Sequence, residues 1–358
     1  MRSVSTNSIK TCLALILCLI YLGCNPSTSV EPPPEELGAL RDVSPFPVGV
    51  AFQSRHLGSP EHVRVTSRTF SSLTAEYEMK MSPLSGGQDV YNWQAVDDLI
   101  AYAQAQNMQV HGHALVWHET VPDWVENFAG SDQEFEEAIK TYITTVVDRY
   151  EDDVISWDVV NEAFDNNTGE LRNSVFRRRM GDDYLARLFE YAREADSDAL
   201  LFYNDYGTTY DVNKRKAMLD MVDDFQRRGI PLDGVGLQVH VTYTFPPVDA
   251  IESVMEEISS RGLLVHLSEL DVRVNPDGDL TVLTPARSQE QKQRVKDIVT
   301  SFLALPSDRR FAITMWGLRD SESWLINFWG NPEWPLLFDD QFAPKPAYEG
   351  FLEALTGR

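Results

Sequence analysis

Residues 157–163 read Trp157-Asp158-Val159-Val160-Asn161-Glu162-Ala163, and residues 264–271 read Leu264-Val265-His266-Leu267-Ser268-Glu269-Leu270-Asp271. Each is a run of β-forming residues that ends on a glutamate with polar company. Working outward, strand-like stretches recur at Phe46–Phe52, Ser72–Met81, Gln109–Trp117, Ile155–Asn161, Leu200–Asp205, Val235–Val241, Leu264–Asp271 and Phe311–Leu318. Between them lie stretches with apolar residues at helical spacing, clearest at Trp93–Gln106, Gln133–Tyr150, Asn213–Arg228, Ser288–Leu305 and Pro344–Leu355. Eight strands alternating with helices predict an α/β fold of the (β/α)8 barrel (TIM barrel) type over 45–358. An open doubly wound sheet would carry a glycine-rich phosphate turn after an early strand, and none is visible.

In such a barrel the site gathers at the C-terminal ends of the strands. The polar residues fall there: Glu76, Glu78 and Lys80 on strand 2, His111, His113 and Trp117 on strand 3, and Asn161 and Glu162 on strand 4. Asn204 and Asp205 follow on strand 5, Gln238 and His240 on strand 6, Glu269 and Asp271 on strand 7, and Trp316 and Arg319 on strand 8. Strand alternation puts Gln238 and His240 on one face. A purely structural core has no use for polar groups at so many strand ends.

The chain has 358 residues, 43% of them hydrophobic and 24% charged, which is a globular balance. Its net charge of −24 argues against nucleic acid as a partner, because phosphate binding draws on Lys and Arg. A neutral ligand fits better. The cysteines are Cys12, Cys18 and Cys24, so nothing after residue 24 has disulfide or thiol chemistry. All three lie in a targeting segment, 1–23, with Arg2 and Lys10 before an apolar run from Cys12 to Leu22 that is short for a bilayer span. Leu22-Gly23-Cys24 resembles a lipoprotein cleavage site, with Tyr21 where a small aliphatic residue is usual. Lipidation of Cys24 and a membrane tether are therefore expected, with simple secretion as the alternative; both place the mature protein outside the cytoplasm. The segment 24–44 holds Pro26 and Pro32 to Pro34 and reads as an extended tether. A monomer is expected.

Two carboxylates at the ends of separate strands suit cleavage of a glycosidic bond, where one acid protonates the leaving oxygen and one carboxylate attacks or activates water. Sugars also present flat C–H faces to aromatic rings. Trp117, Trp124, Trp316, Trp324, Trp329 and Trp334 are candidate platforms, Trp316 and Trp324 above all because they follow strand 8.

Several segments together resemble glycoside hydrolase family 10, the endo-β-1,4-xylanases. They are Thr74 to Lys80, Gly112 to His118, Trp157 to Ala163, Asn204-Asp205-Tyr206, Gly236 to His240, Ser268 to Asp271, and Trp316 to Ser321. They occur in family order and cover about residues 45–355. The resemblance implies a retaining hydrolysis of internal β-1,4-xylosidic bonds with no metal or other cofactor. It implies Glu162 as acid/base and Glu269 as nucleophile, Asn161 bonding the 2-hydroxyl, and His240 bonding Glu269 while Asp271 orients His240. Glu76, Lys80, His113 and Trp117 would bind sugars on the non-reducing side, Gln238 would lie near Glu162, and Trp316 and Trp324 would wall the site. Xylan or xylo-oligosaccharide is the implied partner. Tyr77, Met81 and Thr120 depart from the family, which usually has Asn, an aromatic residue and Gln there. All three fall on the non-reducing side, away from the carboxylates.

Three other readings fit parts of the sequence. His111-Gly112-His113 is an H-x-H of the kind some barrel hydrolases use for zinc, but it sits on the third strand rather than the first. A retaining glycanase acting on glucan or mixed substrates would commonly carry Pro after Asn-Glu, where this chain has Ala163. A non-catalytic xylan-binding lipoprotein is the third, and it has no evident reason to keep both carboxylates and their supports.

Overall fold

A computed structural model describes residues 38–357; the targeting segment, Cys24 and the tether up to residue 37 lie outside the described residues. Eight parallel strands form the barrel: β1 Val48–Phe52, β2 Ser72–Ala75, β3 Gln109–Trp117, β4 Ser156–Asn161, β5 Leu200–Asp205, β6 Gly234–Leu237, β7 Leu264–Arg273 and β8 Arg310–Met315. Each pairs with its neighbours, and β8 pairs with both β7 and β1, which closes the ring. Every residue of β1, β2, β4 and β6 is buried, as expected for strands covered by helices on one face and by the barrel interior on the other.

Eight main helices form the outer layer: α1 Pro60–Thr69, α2 Gln94–Ala105, α3 Asp132–Arg149, α4 Tyr184–Ala195, α5 Val212–Arg228, α6 Val248–Ser260, α7 Pro285–Ala304 and α8 Pro346–Thr356. Their starts are written locally. Ser131 and Glu134 make a reciprocal capping box on α3, Asp211 accepts from Asn213 and Lys214 at the start of α5, and Pro285 follows the Thr284 cap of α7. α3 buries Phe135, Ile139, Tyr142, Ile143, Val146 and Val147, a stripe at helical spacing against the sheet. The stretch Gly38–Ser44, counted above with the tether, packs on this body. Leu40 is fully buried, and Tyr348 of α8 donates its hydroxyl to the carbonyl of Gly38 at 2.8 Å.

Inside the barrel, rings from four strands fill its lower half. His111 and His266 lie 4.8 Å apart, and Phe202 and Phe311 lie 4.6 Å apart. One ring nitrogen of each histidine is bonded locally, His111 Nδ1 to Ser156 Oγ at 2.7 Å and His266 Nε2 to Thr314 Oγ1 at 2.8 Å, while His266 Nδ1 is buried without a hydrogen-bond partner. Burial, helped by the neighbouring His111, holds His266 well below the ordinary imidazole pKa. This floor leaves the upper half of the barrel free for a site.

Four strands end differently from the sequence expectation, β7 by running on past Asp271 to Arg273. β2 stops at Ala75, not Met81. Beyond it the chain bends, because Glu78 Oε1 takes the backbone N–H of Ser54 (2.6 Å) and Lys80 N–H bonds the Tyr77 carbonyl (3.1 Å). β6 breaks after Leu237: Val239 has φ of 54°, in the left-handed region that β-branched residues avoid, and His240–Thr242 resumes as a short strand beside Asp271–Arg273. Gln238 and His240 therefore reach the site through a kink and not by simple alternation. β8 ends at Met315, and Gly317 at φ of 124° supplies the turn that follows.

Candidate active site

Strand register sets the first row of the site. Trp117 pairs with Asn161, and Asn161 pairs with Asn204, so the ends of β3, β4 and β5 stand level. Asn204 itself pairs with Gly236 on β6. A Cβ on Gly236 would lie 2.2 Å from Asn204 Oδ1, so only glycine lets that amide lie across β6. Ser268 Oγ donates to Asn204 Oδ1 at 2.6 Å, which turns the Asn204 Nδ2 toward the cleft. There it donates to Glu269 Oε1 at 2.8 Å and to Asn161 Oδ1 at 3.1 Å. Gln238 Nε2 bonds the same Asn161 oxygen at 3.2 Å and Glu162 Oε1 at 3.0 Å. A short chain of amides thus links the two glutamates that the sequence singles out.

Both carboxylates are nearly sealed, Glu162 at 9% and Glu269 at 4% exposure. Trp117 Nε1 donates to Glu162 Oε2 at 2.9 Å. His240 Nε2 sits 3.2 Å from Glu269 Oε2, and His240 Nδ1 sits 2.8 Å from Asp271 Oδ2, which also accepts from Trp324 Nε1 at 3.0 Å. Burial by itself would raise the Glu269 pKa. The hydrogen bond from His240 and the charges of His113, His240 and Lys80 outweigh it, and the net direction is down. For His240, burial lowers and the Asp271 charge and hydrogen bond raise; the result is a pKa of about 10, so this ring is an imidazolium at neutral pH. One carboxylate is therefore held ionised by a partly buried cation.

The non-reducing side expected from the sequence is built around Lys80. Its Nζ lies 4.7 Å from the Trp117 ring centre and 5.8 Å from that of Trp316. Burial pulls the ammonium below its ordinary pKa, partly offset by Glu269, Glu76 and Glu162. Burial raises Glu76, and Gln53 and Lys80 pull it back in part. His113 packs edge-on against Trp316 at 5.2 Å and faces Asp158 Oδ2 through Nδ1 at 2.8 Å. Asp158 Oδ2 also lies 3.1 Å from His111 Nε2. Burial would raise Asp158, but the charge and hydrogen bonds of His111 and His113 hold it far below the carboxylate range. The H-x-H of β3 is thus a pair sharing one aspartate. Tyr77 stands 52% exposed beside Glu76. Among the other tryptophans, Trp124 gives its N–H to Ser85 Oγ (3.0 Å), and Trp329 covers the Arg273 guanidinium at 4.2 Å.

Another cluster has metal-ligand composition: His56 in the loop after β1, His62 in the first turn of α1 and Glu322 in the loop after β8, with ligand atoms within 4.8 Å of one another. Its donors are already engaged. His62 Nε2 lies 2.6 Å from Glu322 Oε1, Arg319 Nε donates to that same oxygen at 2.6 Å, and Arg55 Nε donates to His56 Nε2 at 3.3 Å. Two guanidiniums supply the positive charge, and the cluster ties the two loops together. Sequence reasoning passed over Asp158 and Ser268, and it noted Asn204 without a partner; each is polar on an otherwise apolar strand, which is the signal that finds them.

Comparison with known proteins agrees with this fold. Residues 39–354 match the family described as glycosyl hydrolase family 10. The endo-β-1,4-xylanase Xyn10C of Cellvibrio japonicus is 39% identical over 349 residues, covering 89% of this chain and 58% of that protein, so this chain spans less than two thirds of its length. Endo-1,4-β-xylanase B of Paenibacillus barcinonensis is 35% identical over 314 residues, covering 85% of this chain and 93% of the relative. A solved structure of a xylanase 10C variant from Cellvibrio japonicus in complex with xylopentaose superposes with a TM-score of 0.87 at 39% identity, covering 90% of this chain and 70% of that one. With a closed (β/α)8 barrel, two buried glutamates, one just after β4 and one on β7, and a family match along nearly all of its described length, this chain belongs to glycosyl hydrolase family 10.

Proposed function

We propose that this protein is a retaining endo-β-1,4-xylanase, with Glu162 as acid/base and Glu269 as nucleophile. The observation that carries the reading is the amide chain from Gln238 through Asn161 and Asn204, which holds two buried carboxylates in different surroundings. Glu269 is kept ionised and attacks the anomeric carbon, while the proton on Glu162 passes to the departing glycosidic oxygen. The glycosyl–enzyme ester is then broken by water, whose proton Glu162 takes back. Asn161 meets the 2-hydroxyl, His240 and Asp271 keep Glu269 aimed, and Trp316 and Trp324 wall the sugar at the point of cleavage. Glu76, Lys80, His113 and Trp117 hold the sugars on the non-reducing side.

The test is product release from linear xylan and from carboxymethylcellulose, side by side. Short xylo-oligosaccharides from xylan alone are expected. Release from glucan, or from neither polymer, overturns the substrate assignment. The apolar run before Cys24 and the prolines after it support an extracytoplasmic lipoprotein with a targeting segment at 1–23 and a tether from Cys24 that ends where the packed body begins at Gly38, rather than at residue 44, working as a monomer. Incorporation of labelled palmitate, lost in Cys24→Ser, is the expected result; soluble unlabelled protein would mean secretion. A single species of monomer mass in light scattering completes the picture.

A further inference from the structure

We infer that the peptide group joining Glu162 to Ala163 is clamped at both ends by a polar circuit that runs from the buried Tyr203, Asp205 and Lys214 out to the surface at Asn166, and that Tyr203 and Arg172 are positioning residues for the acid/base carboxyl. The inference rests on the role given to Glu162 above. Glu162 has φ of 58°, a left-handed conformation that residues with a Cβ disfavour and that needs support from its surroundings. Three hydrogen bonds hold it. Its own N–H bonds the Asn204 carbonyl at 2.9 Å. Its carbonyl accepts from Arg172 Nε at 3.0 Å, and the N–H of Ala163, on the other edge of the same peptide plane, donates to the Tyr203 hydroxyl at 3.1 Å.

Behind these contacts the circuit closes on itself. Tyr203 donates its proton to Asp205 Oδ2 at 2.5 Å. Asp205 Oδ1 lies 2.7 Å from Lys214 Nζ, and both side chains are fully buried. Lys214 Nζ bonds Asn166 Oδ1 at 3.1 Å and lies 3.6 Å from the Tyr206 ring centre. The Tyr206 hydroxyl accepts from Asn166 Nδ2 at 2.6 Å and from Arg172 Nη2 at 3.1 Å, which leads back to the Glu162 carbonyl. A buried ion pair is a weak contributor to stability, and one that fixes geometry is better accounted for. None of these side chains needs to touch sugar. They set the backbone angles of Glu162, hence the direction in which its proton is delivered.

Misdirecting a proton matters only where the leaving group needs one. The experiment compares kcat/KM on linear xylan, whose leaving group is a sugar hydroxyl, with kcat/KM on 2,4-dinitrophenyl β-xylobioside, which departs unaided. In Tyr203→Phe the xylan value is expected to fall about tenfold or more while the aryl glycoside value stays nearly unchanged. Arg172→Met, which loosens the other end of the same peptide, is expected to give the same split and carries the test if Tyr203→Phe does not fold. Equal losses on both substrates, or no loss on either in a folded variant, overturn the clamp. Glu162→Ala is run alongside. Failure of that variant to show the split condemns the acid/base assignment, whereas a split there and none in the other two condemns the clamp alone.

Discussion

His240 Nε2 and Glu269 Oε2 face each other at 3.2 Å, with the imidazole held from behind by Asp271 at 2.8 Å. The pair sets where the acidic limb of activity falls. In the proposed mechanism the active form of Glu269 is ionised, so activity is expected to be lost as pH drops through its pKa, which lies below the ordinary glutamate value. In His240→Ala burial is no longer opposed by this cation, and the Glu269 pKa rises. The acidic limb of kcat/KM is then expected to move to higher pH, by about one unit or more. A limb that stays in place shows that His240 does not hold the carboxylate.

Glu269→Gln is expected to bring xylan hydrolysis to background while the circular dichroism spectrum and urea midpoint are kept. Glu162→Ala is expected to cost about 10²–10⁴-fold on xylan and far less on 2,4-dinitrophenyl β-xylobioside. Near-native turnover by the first variant, or matched losses by the second, contradict the roles.

Beyond the catalytic groups, Lys345 and Asp320 form a buried pair beside the loop that carries Trp316 and Trp324. Lys345 Nζ lies 2.9 Å from Asp320 Oδ2 and bonds the carbonyls of Trp334 and Leu336 at 2.7 and 2.9 Å. Asp320→Ala strands an ammonium in the interior. It is expected to destabilise the protein by about 3–5 kcal/mol, read as a lower urea midpoint at constant slope. An unchanged midpoint shows that the loop reorganises at no cost.

Tyr77 presents half of its surface to solvent next to Glu76. Tyr77→Ala is expected to leave stability within about 0.5 kcal/mol. It is expected to raise KM for long xylo-oligosaccharides with kcat on an aryl xylobioside unchanged. Identical KM values across chain lengths would remove Tyr77 from the sugar path.

Much of this site is legible along the chain, because polar residues at the ends of apolar strands have few structural explanations; Asn161, Glu162, Glu269 and Asp271 stand out on that ground. The rest depends on contacts that no local pattern records. Strand 2 turns after Ala75 because Glu78 finds the backbone of Ser54 on a neighbouring loop. Val239 adopts a conformation its own side chain disfavours so that Gln238 and His240 address different glutamates. Lys214, one turn into an amphipathic helix, reads as a solvated charge, and only the fold brings Asp205 and Tyr206 around it.

Gly236 contributes no atom to any of these contacts, yet the arrangement depends on it. A methyl group there would occupy the place where the Asn204 amide lies. The amide would swing off Asn161 and Glu269 and uncouple the two carboxylates without touching either. Part of this catalytic apparatus is a vacancy, and a survey confined to side chains that meet the sugar passes over it.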